Sequence, residues 1–281
     1  MKQLSIIIPH YNSALKLKRL LDSIPDRNEI QVIVVDDCSN KDLETYQNVK
    51  EYFKEVEFYE NTMENKGAGG ARNVGLSHAI GKWCLFADAD DFFLGGMWDI
   101  VSKYLDSAAD IIYFAPCSII EGTDRPAERH IEYASLAYMV FYQKYKRKEF
   151  TRFSELAIRY RWASPCSKLI KQSFIDEYHL KFDVVPFCDD LSFSKMAGFY
   201  AGMIDASWET FYCITDGKDS LTRTINEEKR KIANAVFMKN YEFWYYNLKF
   251  GDGCILFKKT GIKKIKYFIK RILHNHFGLF K

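Results

Sequence analysis

The chain has no uninterrupted apolar stretch long enough to cross a bilayer. It also lacks the basic-then-apolar start of a secretory leader: the strand-like run Leu4 to Ile8 begins almost at once. Its seven cysteines include no Cys-x-x-Cys pair and no regular spacing. That scatter argues against a disulfide framework and fits a reducing, cytoplasmic setting. No cysteine–histidine cluster suggests zinc. The first half shows neither an internal repeat nor a low-complexity linker. Acidic residues are missing altogether from 254–281, where eight Lys and Arg stand. The net charge of +3 therefore divides into +8 in that stretch and −5 over residues 1–253. Basic charge this local predicts one anionic surface as a partner, and no nucleic acid.

What is there reads as a globular protein of 281 residues, enough for one large domain or one domain with an appendage. Residues 4–8 form a strand ending at Pro9. Residues 14–24 carry Leu17, Leu20, Leu21 and Ile24 at helical spacing, with Asn12 or Ser13 as N-cap. Residues 30–35 are a second buried strand, closed by Asp36-Asp37. A helix over 43–53, a strand over 56–59, a helix over 71–80 and a strand over 82–87 follow. This alternation with short connections predicts a parallel sheet with right-handed crossovers.

The fourth strand runs into Phe86-Ala87-Asp88-Ala89-Asp90-Asp91. Three carboxylates within four residues repel one another unless a cation compensates them. A hard divalent ion would do so, with substrate phosphates completing its shell. A solvated acidic turn is the plainer alternative. Open α/β sheets bind ligands at the carboxyl ends of their strands, so His10-Tyr11-Asn12, Asp36-Asp37 and this cluster can converge on one ligand. A tyrosine stacks on a base, and an Asp accepts the N–H of a pyrimidine imide. Asp36-Asp37 could equally serve helix capping near Ser39 or Asp42.

The turn Asn65-Lys66-Gly67-Ala68-Gly69-Gly70-Ala71-Arg72-Asn73 does not fit a dinucleotide fingerprint, because Arg72 stands where a third glycine is needed and the turn does not follow the first strand. The glycines read as allowing a ligand close to backbone before a helix N-terminus. Arg72 can then reach phosphate or clamp a carboxylate of the cluster.

Four segments together resemble glycosyltransferase family 2 in order and spacing: Ser5-Ile6-Ile7-Ile8-Pro9-His10-Tyr11-Asn12, Val34-Val35-Asp36-Asp37-Cys38-Ser39, Gly70-Ala71-Arg72-Asn73-Val74-Gly75-Leu76 and Asp88-Ala89-Asp90-Asp91. The resemblance is dense over the first third of the chain. It implies an α/β GT-A fold, a mostly parallel Rossmann-like sheet flanked by helices, with a helical C-terminal extension. It also implies a nucleotide-sugar donor, a divalent metal (Mn2+ or Mg2+) and inversion at the anomeric carbon. By motif, Pro9, Tyr11, Asp37, Arg72, Asp88 and Asp90 fall in the donor site, with Tyr11 and Asp37 at the base, Arg72 at the diphosphate and Asp88 at the ribose. Asp90 and Asp91 fall at the metal. His10 departs from the small or aliphatic residue usual there and lies where donor selectivity could be set. Residues 92–97 lack the proline that often follows the cluster.

The second half is less regular. Residues 111–115 form another buried strand, 121–132 a polar loop. Residues 133–159 read as a helical insertion whose aromatic and basic positions, Tyr138, Tyr142, Tyr145, Lys146, Arg147 and Lys148, present either a solvated face or an acceptor-side wall. The segment Trp162 to Ile170, which contains Lys168, resembles the family's stretch ahead of the catalytic region. Phe187-Cys188-Asp189-Asp190-Leu191 resembles its acidic pair, with Asp189 where Glu is usual. The resemblance places the general base at Asp190. Inversion needs one carboxylate opposite the leaving group to deprotonate the acceptor hydroxyl. The plainer alternative is that the two Asp residues simply open a helix, whose N-terminus favours negative charge. Strand-like runs flank Ser207-Trp208. Lys218 and Arg223 are candidate phosphate contacts in a loop over 216–223, and 227–250 is an aromatic-rich helical segment.

On a helix over 262–277 the apolar residues fall on one arc and the basic ones on the other. That pattern fits an interfacial helix on an anionic membrane, or a helix docked on the domain with a solvated face. The expected organisation is 1–95 for the nucleotide-sugar-binding half, 96–222 for the acceptor and catalytic half, and 223–281 for a helical C-terminal region. The expected activity is metal-assisted transfer of a sugar, from a UDP donor, to a hydroxyl of a glycan or lipid-linked saccharide in bacterial surface-polysaccharide assembly, at the inner face of the membrane. A nucleotidyltransferase and a non-catalytic, membrane-recruited nucleotide-binding protein are the alternatives. The first is disfavoured because Pro9-His10-Tyr11-Asn12 stands where its Gly-rich basic loop belongs.

Overall fold

The computed structural model describes residues 2–62, 66–128, 131–144, 151–217, 226–249 and 252. In chain order the elements of the first half are β1 (Leu4–His10), α1 (Ala14–Asp22), β2 (Ile30–Asp36), α2 (Leu43–Tyr52), β3 (Glu57–Glu60), α3 (Ala68–His78), β4 (Trp83–Phe86), β5 (Phe92–Phe93) and α4 (Met97–Val101). There follow β6 (Ile111–Phe114), β7 (Cys117–Ile120), α5 (Ile131–Tyr142), α6 (Arg152–Arg161), β8 (Lys168–Lys171), α7 (Gln172–Glu177), α8 (Asp189–Tyr200), β9 (Ile204–Ser207), β10 (Tyr212–Asp216) and α9 (Glu227–Asn247).

A seven-stranded sheet has the order β3-β2-β1-β4-β8-β6-β9. The pairs β1–β2, β2–β3, β1–β4 and β6–β9 are parallel, while β8 runs antiparallel to both β4 and β6. The first four strands thus form the expected parallel unit. Along β1 the β-branched residues alternate in the pleat. Ile7 packs with α3, α5, α6 and α8 on one face, and Ile6 and Ile8 pack with α1 and α2 on the other. A second, three-stranded sheet, β5-β10-β7, packs on the α1 side.

Three boundaries differ from expectation for physical reasons. β1 continues through Pro9 to His10: pairing with β2 persists to His10 opposite Asp36, but pairing with β4 stops at Ile7 opposite Phe86. Lacking an N–H, Pro9 cannot extend the β4 ladder. The ladder therefore ends between the carboxyl ends of β1 and β4, where the strand order reverses and α/β sheets bind ligands.

α3 begins at Ala68, so Gly69 and Gly70 lie inside the helix. A Cβ on Gly69 would stand 2.1 Å from the Asp183 carbonyl oxygen, and one on Gly75 would stand 2.5 Å from Ile7 Cγ2. Gly69 thus admits protein backbone, which corrects the expectation of a ligand there, and Gly75 admits a core strand. The polar stretch after β7 gives way to α5 at Ile131, two residues earlier than the sequence pattern implies.

Candidate active site

The site forms at the carboxyl edge of β1, β2 and β4 and at the N-terminus of α8. β1 and β2 are tied at their ends by a buried pair. His10 Nδ1 lies 2.8 Å from Asp36 Oδ1, and the Ser13 N–H reaches His10 Nε2 at 3.3 Å. Because Nε2 accepts, the proton sits on Nδ1 and is donated to Asp36. Burial opposes the charge on Asp36, but hydrogen bonds from His10 and Ser39 hold its carboxyl below the usual range. His10 is 1% exposed and stacks on Tyr46 with centroids 4.5 Å apart. Its place is under the site rather than facing a ligand, contrary to the selectivity role expected for it. Tyr11, one residue on, is 55% exposed. Asn12 caps no helix; its side-chain Oδ1 accepts from the N–H groups of Asn40 and Lys41. Asp37 accepts from Asn61 Nδ2 at 2.6 Å.

The three carboxylates after β4 have three different surroundings. Asp88 takes Arg72 Nη2 on Oδ1 at 2.6 Å. Asp91 is buried, with Oδ2 accepting from the Tyr212 hydroxyl at 2.6 Å and Oδ1 from the Thr215 N–H at 2.8 Å. The Tyr212 hydroxyl also accepts from the Asp88 N–H at 2.9 Å, so β10 pins both ends of the Asp88–Asp91 turn. Arg19 holds the same turn by donating to the Asp90 carbonyl and, at 3.0 Å, to Thr215 Oγ1. Among the described residues, no side chain donates to the Asp90 carboxylate. Burial pushes Asp90 up, and Asp88 pushes it further against the pull of Lys16. Burial and the charges of Asp88 and Asp90 push Asp91 well above the usual carboxylate range.

Arg72 comes from the first turn and a half of α3 and is buried. Its guanidinium bridges Asp88 and Asp189, with Nη1 2.5 Å from Asp189 Oδ2. The Phe182 ring lies 5.3 Å away across its face, and its Nε finds no acceptor among the described residues. Asp189 and Asp190 open α8, where a helix N-terminus favours negative charge. Burial pushes Asp190 up to about 7, with Asp189 adding to the shift and Arg72 opposing it. Asp189 is raised by burial as well, against Arg72.

Lys168, flagged only by its place in the Trp162–Ile170 segment, opens β8 and is 2% exposed. Lys218, Arg223 and all of 254–281 lie outside the described residues. Sequence reasoning missed Tyr212, Thr215 and Arg19; they stand far from the cluster in sequence and in no motif, so no local signal marks them.

Among the described residues, no group of three or more His, Cys, Asp and Glu converges as a metal cage. The chemistry of Asp90 still suits a divalent cation: a carboxylate raised by burial and by a like neighbour, with no donor from another side chain. Magnesium-type sites use one or two protein carboxylates and complete the shell with substrate phosphates. Asp91 differs, because both of its oxygens already accept hydrogen bonds. No helix of the described residues is long and apolar enough to cross a membrane.

This arrangement has counterparts. Glycosyl transferase family 2 matches residues 5–178. Poly(ribitol-phosphate) beta-N-acetylglucosaminyltransferase TarS of Staphylococcus aureus is 37% identical over 98 residues, which cover 33% of this chain and 17% of TarS. GalNAc(5)-diNAcBac-PP-undecaprenol beta-1,3-glucosyltransferase of Campylobacter jejuni is 31% identical over 99 residues, 34% of this chain and 32% of that protein. The aligned part of the chain thus spans a third or less of each of these relatives. Among solved structures, S. aureus TarS 1-349 in complex with UDP-GlcNAc superposes with a TM-score of 0.63 at 23% identity, over 82% of this chain and 64% of that one. The mannosyltransferase PcManGT from Pyrobaculum calidifontis, in complex with GDP-Man and Mn2+, superposes with a TM-score of 0.52 at 18% identity, over 76% and 56%. The large, mostly parallel sheet flanked by helices is the GT-A arrangement of these enzymes. With the family's match spanning more than half of its residues, this chain belongs to glycosyl transferase family 2.

Proposed function

We propose that the protein transfers a sugar, with inversion, from a uridine-diphosphate donor to a hydroxyl of a glycan or lipid-linked saccharide. The observation that carries this reading is the Arg72 bridge, which joins the carboxylate cluster after β4 to the acidic pair that opens α8. Donor-side and base-side groups are thereby held in one site. Family membership supports the class of reaction, and the names of TarS and the Campylobacter enzyme support glycan and lipid-linked acceptors.

In this reading the exposed ring of Tyr11 stacks on the base, and the Asp37 oxygen not facing Asn61 accepts a base N–H. The end of the β1–β4 ladder at Pro9 gives the nucleotide room. Asp88 receives a ribose hydroxyl on the oxygen that Arg72 leaves open. Asp90 would hold the divalent cation, which when bound stabilises the departing diphosphate. Asp91 acts as the hydrogen-bonded base of that turn rather than as a ligand. Arg72 organises the two carboxylates instead of meeting the phosphates. Asp190 takes the proton of the acceptor hydroxyl, and its buried setting places it near the protonation midpoint that suits a general base at neutral pH. The basic, acid-free stretch 254–281 would bring the enzyme to an anionic membrane surface, where lipid-linked acceptors reside. Pelleting with vesicles containing an anionic lipid, lost when 254–281 is removed, checks that part.

A thermal-shift screen of nucleotides and nucleotide-sugars, with and without Mn2+ or Mg2+, tests the main reading. A ligand that binds the folded state alone raises the melting temperature by mass action. UDP should stabilise the protein, more so with metal, and UDP-sugars should yield free UDP on incubation. Saturable UDP binding without any release from a full panel of UDP-sugars and acceptors would mark a binding protein. A shift with nucleoside triphosphates alone would indicate a nucleotidyltransferase.

A further inference from the structure

Lys168 is a buried lysine that makes no ion pair among the described residues. Its Nζ donates to the Trp162 carbonyl at 3.0 Å and makes a longer contact, 3.4 Å, with Ser194 Oγ. The rings of Tyr113 and Trp162 lie 5.3 and 5.7 Å from it. Among the described residues, no carboxylate comes within direct contact. One carbonyl, one distant hydroxyl and two ring faces are poor compensation for an ammonium removed from water. The missing anion lies close by. Ser194 follows Asp190 by four residues on α8, so the two share a helix face about 5–6 Å apart. Helical side chains also lean toward the N-terminus, which tilts the Ser194 contact toward Asp190.

We propose that Lys168 is a positioning residue of the transfer reaction: a buried cation one helical turn beneath Asp190 that keeps this carboxylate ionised and ready to accept a proton. The proposal rests on Asp190 being the base. The charged and titratable groups facing Asp190 are Asp189 and Cys188 from its own helix end, Arg72 from α3, Asp88 after β4, Tyr133 from α5 and Lys168 from β8. Asp189 and Asp88 oppose ionisation. Arg72 favours it but is shared with Asp88 and Asp189, which leaves Lys168, among the described residues named here, as the cation on the inner side. Burial lowers Lys168 to about 7 while Asp190 raises it, so the two groups titrate together.

The test needs no substrate. In protein labelled with 13C at the aspartate carboxyl carbons, the Asp190 resonance is assigned by its loss in D190N and followed against pH. In Lys168→Gln, which keeps a donor for the Trp162 carbonyl and loses the charge, the Asp190 midpoint should rise by about 1 to 3 pH units. The low-pH limb of UDP release from UDP-GlcNAc should move with it. Lys168→Met, which loses donor and charge, should show the same shift, and either variant suffices if the other does not fold. UDP-induced thermal stabilisation reports that the variant is intact. A folded Lys168 variant whose Asp190 midpoint and pH profile match the parent overturns the proposal and leaves the base assignment standing. If D190N retains turnover, the base assignment itself fails and this proposal goes with it.

Discussion

Arg72 Nη1 lies 2.5 Å from Asp189 Oδ2, across 117 positions of sequence, while Nη2 of the same side chain holds Asp88 at 2.6 Å. One buried guanidinium thus sets the spacing between the cluster after β4 and the start of α8. Its planar fork suits two carboxylates in a way that an ammonium cannot.

Replacing Arg72 with Ala leaves two partly buried carboxylates without their partner. Stability should fall by about 3–5 kcal/mol. Arg72→Lys keeps the charge and loses the fork, and should recover part of the stability but little of the activity. Urea denaturation and UDP-release assays on the two variants decide it; an Ala variant as stable and active as the parent would contradict the bridge.

Asp190 should lower stability as pH rises. Its folded-state midpoint of about 7 lies above the ordinary 3.8, so the folded protein binds the extra proton between these values. The contribution is full below pH 4 and is lost as pH rises through 7. Asp190→Asn should therefore match the parent's melting temperature near pH 4 and exceed it at pH 8. The same variant should lose about 100- to 10,000-fold in turnover, the usual loss when a general base is removed. Calorimetry at the two pH values, together with turnover, separates a functional strain from a packing defect.

Turnover of the parent enzyme should climb with pH through a midpoint near 7, because the base must be ionised. A pH profile of kcat/KM that is flat from pH 5.5 to 8 would show that Asp190 does not take the proton.

Among the described residues Asp90 is the cluster carboxylate without a side-chain donor, whereas Asp91 is engaged on both oxygens. Asp90→Ala should abolish the metal-dependent part of the UDP thermal shift and leave the apo melting temperature near or above that of the parent. Asp91→Ala should instead lower the apo melting temperature, since it strands the Tyr212 hydroxyl and the Thr215 N–H. Tyr212→Phe leaves an oxygen of buried Asp91 unsatisfied and should cost about 1–3 kcal/mol. If Asp90 and Asp91 variants behave alike in both measurements, the division of labour within the turn is wrong.

Gly69→Ala brings a methyl to 2.1 Å from the Asp183 carbonyl, which is backbone and cannot swing away. The substitution should cost at least about 1–3 kcal/mol and loosen the Arg72–Asp189 contact, since Asp183 N–H also bonds the Asp189 carbonyl at 3.1 Å. Reduced UDP release together with a lower melting temperature is the expected pair of results.

Much of this is written locally in the chain. The Ile6-Ile7-Ile8 and Ile33-Val34-Val35 runs specify strands buried on both faces, and the carboxylates stand directly after strands because parallel strands present their carboxyl ends together. That pattern alone gives the parallel unit β1–β4; the candidate donor residues follow only from the resemblance of the four motifs to the family. The same local patterns are silent on β5, whose two residues are too short to show a period, and on the antiparallel β8 placed between β4 and β6. They also mislead at Gly69, since a glycine-rich run looks alike whether a ligand or another stretch of backbone approaches it.

The sequence by itself therefore determined which segments of the first half are strands, the clustered negative charge and the chemistry that such charge invites, because each depends on neighbours a few residues apart. Tertiary structure alone decided which carboxylate is bridged, which is hydrogen-bonded and which is left open. It also decided that Lys168 is buried under α8 and that His10 turns inward. Those outcomes rest on contacts such as Asp91 with Tyr212, 121 positions apart, and Arg72 with Asp189. Burial and long-range pairing set the charge state of an ionisable group, and neither exists until the chain has closed around it.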